Sequence, residues 1–193
     1  LPDVDNVFDP FQIKVATYLD AHQNKFWMDA FFKGDYPELV YEMFGDTLRD
    51  VIQPGDLDLV KHDWLGVNYY FNARVGHEVP MNHPTRGRLF DKLMGLSFEA
   101  APTTQVTDMG WPITPQGLGD LCLRWTREYG ADLPPIYITE NGVAYDTDKG
   151  ADGKIHDDKR IAYLNDHLRS IRDAIAVGAD VRGYFQWSLF DNF

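Results

Sequence analysis

Three apolar runs of strand length, Trp64 to Phe71, Ile136 to Thr139 and Val181 to Leu189, alternate with three stretches of helical periodicity. No other feature constrains the fold as much. Consecutive parallel strands need a long crossover, usually a helix, so the order helix, strand, helix, strand, helix, strand predicts an α/β chain with a parallel sheet. The helix boundaries carry their own signals. Asp9 followed by Pro10 reads as an N-cap and first helical residue, with Gln12 in the capping-box position and Phe8 placed to staple onto Ile13. Phe11, Val15, Tyr18, Leu19, His22 and Phe26 then share one helical face, and Gly34 marks the expected end. Thr114-Pro115 opens a second helix carrying Leu118, Leu121, Cys122, Trp125 and Tyr129, closed by Gly130. In the third, Ile161, Leu164, Leu168, Ile171 and Ile175 predict the buried stripe, and Gly178 the stop.

Val79 to Pro112 is rich in Pro, Gly, Asn and Thr and is expected to be a long functional loop. No repeat or linker divides the chain, so residues 1–193 are expected to form one domain. A complete eight-stranded α/β barrel takes about 250 residues, and with three legible strands this chain is expected to be part of one. Its ends agree with that expectation. Residue 1 is Leu, and Phe193 lies within an apolar run, whereas natural termini are usually polar and exposed.

Composition removes several function classes. A net charge of −12 with no clustered Lys and Arg argues against nucleic acid or an anionic membrane surface as partner. No apolar run approaches the roughly 20 residues of a membrane span. The lone Cys122 and the absence of a visible export signal make a cytoplasmic location the default expectation. The six histidines show no ligand spacing. Asp146, Asp148, Asp152, Gly153, Asp157 and Asp158 superficially match a calcium loop. With Asp148 as first ligand, however, the third falls on Gly150 and the twelfth on Lys159. A solvated acidic turn capping the third helix is the better reading, and neither metal nor cofactor is expected.

Chemistry-bearing residues gather where the strand-like runs end. Asn68-Tyr69-Tyr70 ends the first, Thr139-Glu140-Asn141-Gly142 the second, and Gln186-Trp187-Ser188 lies late in the third. In parallel α/β folds the active site forms at the carboxyl ends of the strands. A carboxylate held there can be a nucleophile, a base or a ligand; its plain alternative is a solvated strand-end glutamate. Phenol and amide donors beside it, with Trp111 and Trp187 as platforms, suit a sugar, whose hydroxyls take directional hydrogen bonds while its apolar face stacks on indole. The plain alternatives are core packing for the tryptophans and turn or core roles for Asn68 and Tyr70.

The quoted runs, extended, resemble a known family. Trp-Leu-Gly-Val-Asn-Tyr-Tyr (Trp64 to Tyr70), Met-Gly-Trp-Pro-Ile (Met109 to Ile113), Tyr-Ile-Thr-Glu-Asn-Gly (Tyr137 to Gly142) and Gly-Tyr-Phe-Gln-Trp-Ser-Leu-Phe-Asp-Asn-Phe (Gly183 to Phe193) are similar, in order and spacing, to signatures of the family-1 glycoside hydrolases, the β-glucosidase family. The resemblance implies the C-terminal portion, about strands 5 to 8, of a (β/α)8 TIM barrel, truncated at both ends. It also implies retaining hydrolysis of β-glucosides and short β-linked oligosaccharides. By position, Glu140 would be the nucleophile ending the seventh strand and Tyr70, ending the sixth, would donate a hydrogen bond to it. Asn68 would lie close to the same subsite, Trp187 would floor the sugar site, and Trp111 would stack on the leaving-group side.

The resemblance also implies what lies elsewhere. The family's acid/base carboxyl sits in Thr-x-Asn-Glu-Pro at the end of the fourth strand, and this sequence contains no Asn-Glu-Pro. A partner is therefore implied, the missing N-terminal half of the same barrel, and residues 1–193 alone are expected to be inactive. Two alternatives remain open: a non-catalytic sugar-binding remnant, and a 6-phospho-β-glucosidase, whose site needs a Ser and a Lys for the phosphate soon after the eighth strand. Asp191-Asn192-Phe193 leans toward the unphosphorylated branch.

Overall fold

The computed structural model describes residues 3–4, 8–59, 61–75, 96–97 and 105–190. Residues 79–95 and 98–104 of the expected long loop, and Asp191 to Phe193, lie outside the described residues. The chain divides into two compact units, Leu1–Lys61 with Ala73–Phe98, and His62–Asn72 with Glu99–Phe193.

The first unit opens with strand β1 (Asp3–Val4) and helix α1 (Pro10–Asp20). The amide of Gln12 donates to Asp9 Oδ1 at 3.4 Å, the expected N-cap bond. Phe8, however, is 87% exposed, so no staple buries it. The helical stretch is also not uniform: a π-helical segment, Ala21–Lys25, joins α1 to α2 (Phe26–Lys33). Gly34 ends it at φ 69°, the left-handed cap that favours glycine. Helices α3 (Glu38–Phe44) and α4 (Asp46–Val51) follow, neither of them foreseen. Val15, Ala16, Leu19 and Val75 form a buried cluster.

The second unit carries the site. Its parallel sheet has the order β2 (Leu65–Asn68), β5 (Ile136–Asn141), β6 (Val181–Gln186). Strand β2 stops short of the apolar run, which continues to Phe71, and β5 extends two residues beyond the predicted end at Thr139. Strands β3 (Arg74–Val75) and β4 (Leu96–Ser97) belong to the first unit, where β3 pairs parallel to β1 and antiparallel to β4. Helix α5 (Pro115–Tyr129) buries Leu118, Cys122, Trp125 and Tyr129, the stripe its periodicity predicts. Its start is tied to the end of β2 by the Tyr69 hydroxyl, which donates to Thr114 O at 2.6 Å.

Helix α6 (Asp158–Ala176) corrects the sequence expectation. The buried residues are Tyr163, His167, Ser170, Ile171 and Ala174, whereas Ile161, Leu168 and Ile175 are 55%, 44% and 46% exposed. Only Ile171 of the predicted stripe is buried. The reason is hydrogen bonding: a polar side chain can be buried when its partners are supplied. Ser170 Oγ accepts from the Gly119 amide at 3.1 Å and donates to Gln116 O at 3.3 Å, so α6 meets α5 through a hydroxyl. A Cβ at Gly119 would fall against Ser170, so the close approach needs glycine there.

Candidate active site

The position of Glu140 depends on a slip in the strand ladder. Leu65, Gly66 and Val67 pair in turn with Ile136, Tyr137 and Ile138, but Asn68 pairs with Glu140, leaving Thr139 as an extra residue on β5. Ile136 and Ile138 are buried, and strict alternation would bury residue 140 with them. The bulge changes the face: along β5 the next buried residue is Asn141, and Glu140 is only partly covered. Bulges re-aim side chains in this way. Each buried isoleucine contributes about 1.5–3 kcal/mol, so the strand beneath the bulge is well anchored.

Tyr70 Oη donates to Glu140 Oε2 at 2.8 Å. The strand ends are also joined by main chain, the Tyr69 amide donating to Glu140 O at 2.9 Å. Burial, followed by the hydrogen bond to Glu140, pushes the Tyr70 phenol well above its ordinary pKa of 10.0. It therefore remains a donor throughout the neutral range. The Tyr70 ring meets Trp111 edge-on, with centroids 5.5 Å apart.

Beside this pair opens a cavity of about 500 Å3 lined by Tyr70, Trp111, Gln186, Trp187 and residues 142–146. Asp108 and Arg160 add charge to its wall. Arg160 is engaged, with Nη1 at 2.6 and 2.8 Å from the Asp157 carboxylate oxygens and Nη2 donating to Tyr145 O at 2.8 Å. Trp187 is 46% exposed, its amide donates to Asn141 O at 2.9 Å, and its peptide bond to Ser188 is cis. Of the residues singled out in the sequence, Tyr70, Trp111 and Trp187 line the cavity. Glu140 is joined to them through Tyr70. Asn68 stands beside Glu140 in the ladder, exposed, accepting from Thr139 Oγ1 at 2.7 Å.

The sequence reading missed the support behind this pair. Asn141, noted in the sequence only as the residue after Glu140 in the strand-end run, is fully buried and bonded to Tyr69, Tyr163 and Tyr184. Behind it, Tyr163 and His167, spaced i, i+4 on α6, stack their rings at 4.0 Å. In the acidic segment, Asp152 lies 2.9 Å from His156 Nε2 and Asp157 is held by Arg160. Among the described residues, no three His, Cys, Asp or Glu side chains are grouped to hold a metal ion. No described helix is long and apolar enough to cross a membrane.

Known proteins resemble the chain in sequence and in fold. The chain is 37% identical over 203 residues to the 6-phospho-beta-galactosidase of Clostridium acetobutylicum and 36% identical over 204 residues to that of Leptotrichia buccalis. These alignments cover 96% of this chain and 42% and 43% of the relatives. Its structure matches the psychrophilic beta-glucosidase of Micrococcus antarcticus with a TM-score of 0.84 at 36% identity, covering 97% of this chain and 42% of that one. The family 1 beta-glucosidase of Thermotoga maritima matches with a TM-score of 0.76 at 31% identity, covering 100% of this chain and 41% of that one. The chain thus spans about two fifths of the length of these relatives, and its fold is that of part of a (β/α)8 barrel. With residues 9–193 matching Glycosyl hydrolase family 1 from the first helix cap through the β6 motif, the chain belongs to that family.

Proposed function

We propose that the complete protein hydrolyses β-glucosidic bonds in β-glucosides and short β-linked oligosaccharides with retention of configuration, and that Glu140 is its nucleophile. The observation that carries this reading is the 2.8 Å bond from Tyr70 to Glu140 at the carboxyl ends of neighbouring parallel strands, beside a cavity walled by Trp111 and Trp187. Tyr70 engages one carboxylate oxygen and leaves the other for attack on the anomeric carbon. As that bond forms, the glycosidic bond breaks and a second carboxylic acid protonates the departing oxygen. Water, deprotonated by the same second group, then attacks the anomeric carbon and releases Glu140. Trp187 floors the sugar site, Asn68 serves the same subsite, and Trp111 faces the leaving group.

In this reading the chain supplies about strands 5 to 8, with β2, β5 and β6 as the sixth, seventh and eighth. The N-terminal half of the same barrel is the partner that brings the acid/base carboxyl. Residues 1–193 alone are then inactive. A cytoplasmic location, with no metal, nucleic acid or membrane partner, belongs to the same proposal.

A second reading, hydrolysis of a 6-phosphorylated β-glycoside, is favoured by the names of the sequence relatives. Assaying the complete protein on p-nitrophenyl β-glucoside, β-galactoside and their 6-phosphates separates the two. Turnover of the unphosphorylated glucoside with the β-anomer formed first supports the proposal. Turnover of 6-phosphates alone replaces it with the second reading, and an α-anomer formed first overturns retention.

A further inference from the structure

We infer that Asn141 is a positioning residue that fixes the Tyr70–Glu140 pair from behind, by pinning the peptide bond between Tyr69 and Tyr70. The inference rests on the proposed roles of Glu140 and Tyr70. Asn141 follows Glu140, but the β5 bulge turns its side chain to the opposite, buried face, where it is 0% exposed. Its Nδ2 donates to Tyr69 O at 2.8 Å and to the Tyr163 hydroxyl at 3.0 Å. Its Oδ1 accepts from the Tyr184 hydroxyl at 2.7 Å. A carbonyl can only accept, so Tyr69 O requires the amide nitrogen on its side, and Tyr184 holds the amide in that orientation.

The atom being held matters. Tyr69 O belongs to the peptide that leads into Tyr70, and the other group of residue 69, its amide, donates to Glu140 O at 2.9 Å. The main chain before Tyr70 is thus gripped on two sides by residues 140 and 141. Rotation of the pinned peptide would swing the Tyr70 ring away from the carboxylate. Asn141 also reaches the cavity floor, because its own carbonyl accepts from the Trp187 amide at 2.9 Å. Tyr163 comes from α6 and Tyr184 from β6, so the amide joins the segment just after β2 to β6 and α6 at the point where Glu140 leaves the buried face.

The test is a double-mutant cycle in the complete protein, with kcat and KM for an aryl β-glycoside and the thermal midpoint measured for each variant. Asn141→Ala is expected to lower kcat/KM about tenfold or more, through kcat rather than KM, since it misplaces Tyr70 instead of removing a sugar contact. In a Tyr70→Phe background the same substitution is expected to cost less than about threefold, because the bond it positions is already gone. Should Asn141→Ala fail to fold, Tyr184→Phe, which frees the amide to turn while deleting one hydroxyl, carries the same cycle with a smaller loss. Losses that multiply, or wild-type turnover in the Asn141 variant, overturn the assignment while leaving Glu140 in place. Wild-type turnover in Tyr70→Phe alone would instead overturn the reading of the site on which the assignment rests.

Discussion

The Tyr70 hydroxyl meets the Glu140 carboxylate at 2.8 Å across a sequence separation of 70 residues. The pair exists because β2 and β5 are neighbours in the sheet and because the extra residue Thr139 turns Glu140 off the buried face. A phenol kept protonated by burial and by its acceptor remains a hydrogen-bond donor to Glu140 across the neutral range.

Removing that donor tests its contribution. A hydrogen bond to a charged group is worth about 1.5–3 kcal/mol, so Tyr70→Phe is expected to lower kcat/KM of the complete protein roughly 10- to 150-fold. The ring and its edge-on contact with Trp111 remain, so the thermal midpoint should change little. Wild-type kinetics would remove Tyr70 from the mechanism.

Gly142 lies against the main chain of Trp187, where an added Cβ would overlap the Trp187 carbonyl oxygen. Gly142→Ala must therefore displace the segment that presents Trp187 to the cavity. We expect destabilisation of about 1–3 kcal/mol, typical of overpacking, and a kcat/KM loss larger than that of an alanine substitution on an exposed surface. Chemical denaturation and initial rates measure the two effects. An alanine variant with wild-type values of both would contradict the close approach.

The strand centres, the cap at Asp9, the helix start at Thr114-Pro115, the α5 stripe and the stop at Gly34 were legible because each depends on neighbours in sequence. The face of α6 was not. Its apolar residues Ile161, Leu168 and Ile175 define a stripe, but Tyr163 and Ser170 are buried against distant partners that bond them, and His167 is buried between them, stacked on Tyr163. The two-residue strands β1, β3 and β4 are too short to carry periodicity. At the site, the strand-end position of Glu140 could be read directly. The bulge could not, because a rigid period of two would have turned residue 140 toward the buried face, and no local signal marks the slip after Ile138. Asn141 was hidden for a related reason: Asn-Gly is a common turn pair, and its three tyrosine partners come from three distant stretches of the chain.

His167 predicts an acid limit on stability. It is fully buried, with Nδ1 2.8 Å from Tyr163 O, which can only accept, so Nδ1 carries the proton in the neutral ring. Nε2 has no partner among the described residues, and a second proton there would be a buried, unpaired charge. Burial accordingly lowers its pKa from the ordinary 6.5, against smaller opposing contributions from the Tyr163 carbonyl and Asp166. In the unfolded chain the ring protonates as pH falls through 6.5, while the folded protein resists. The stabilisation is therefore present above 6.5 and lost as pH falls below it. Thermal midpoints of the complete protein between pH 7.5 and 5 should fall less steeply in His167→Phe than in the wild type, and parallel slopes would contradict the assignment.

The most direct test of the central claim is covalent. Incubating the complete protein with an activated 2-deoxy-2-fluoro β-glucoside, followed by peptide mass mapping, is expected to place one sugar on the peptide containing Glu140, with Glu140→Ala unlabelled and inactive but folded. A sugar found on any other carboxylate, or an active Glu140→Ala variant, would contradict it.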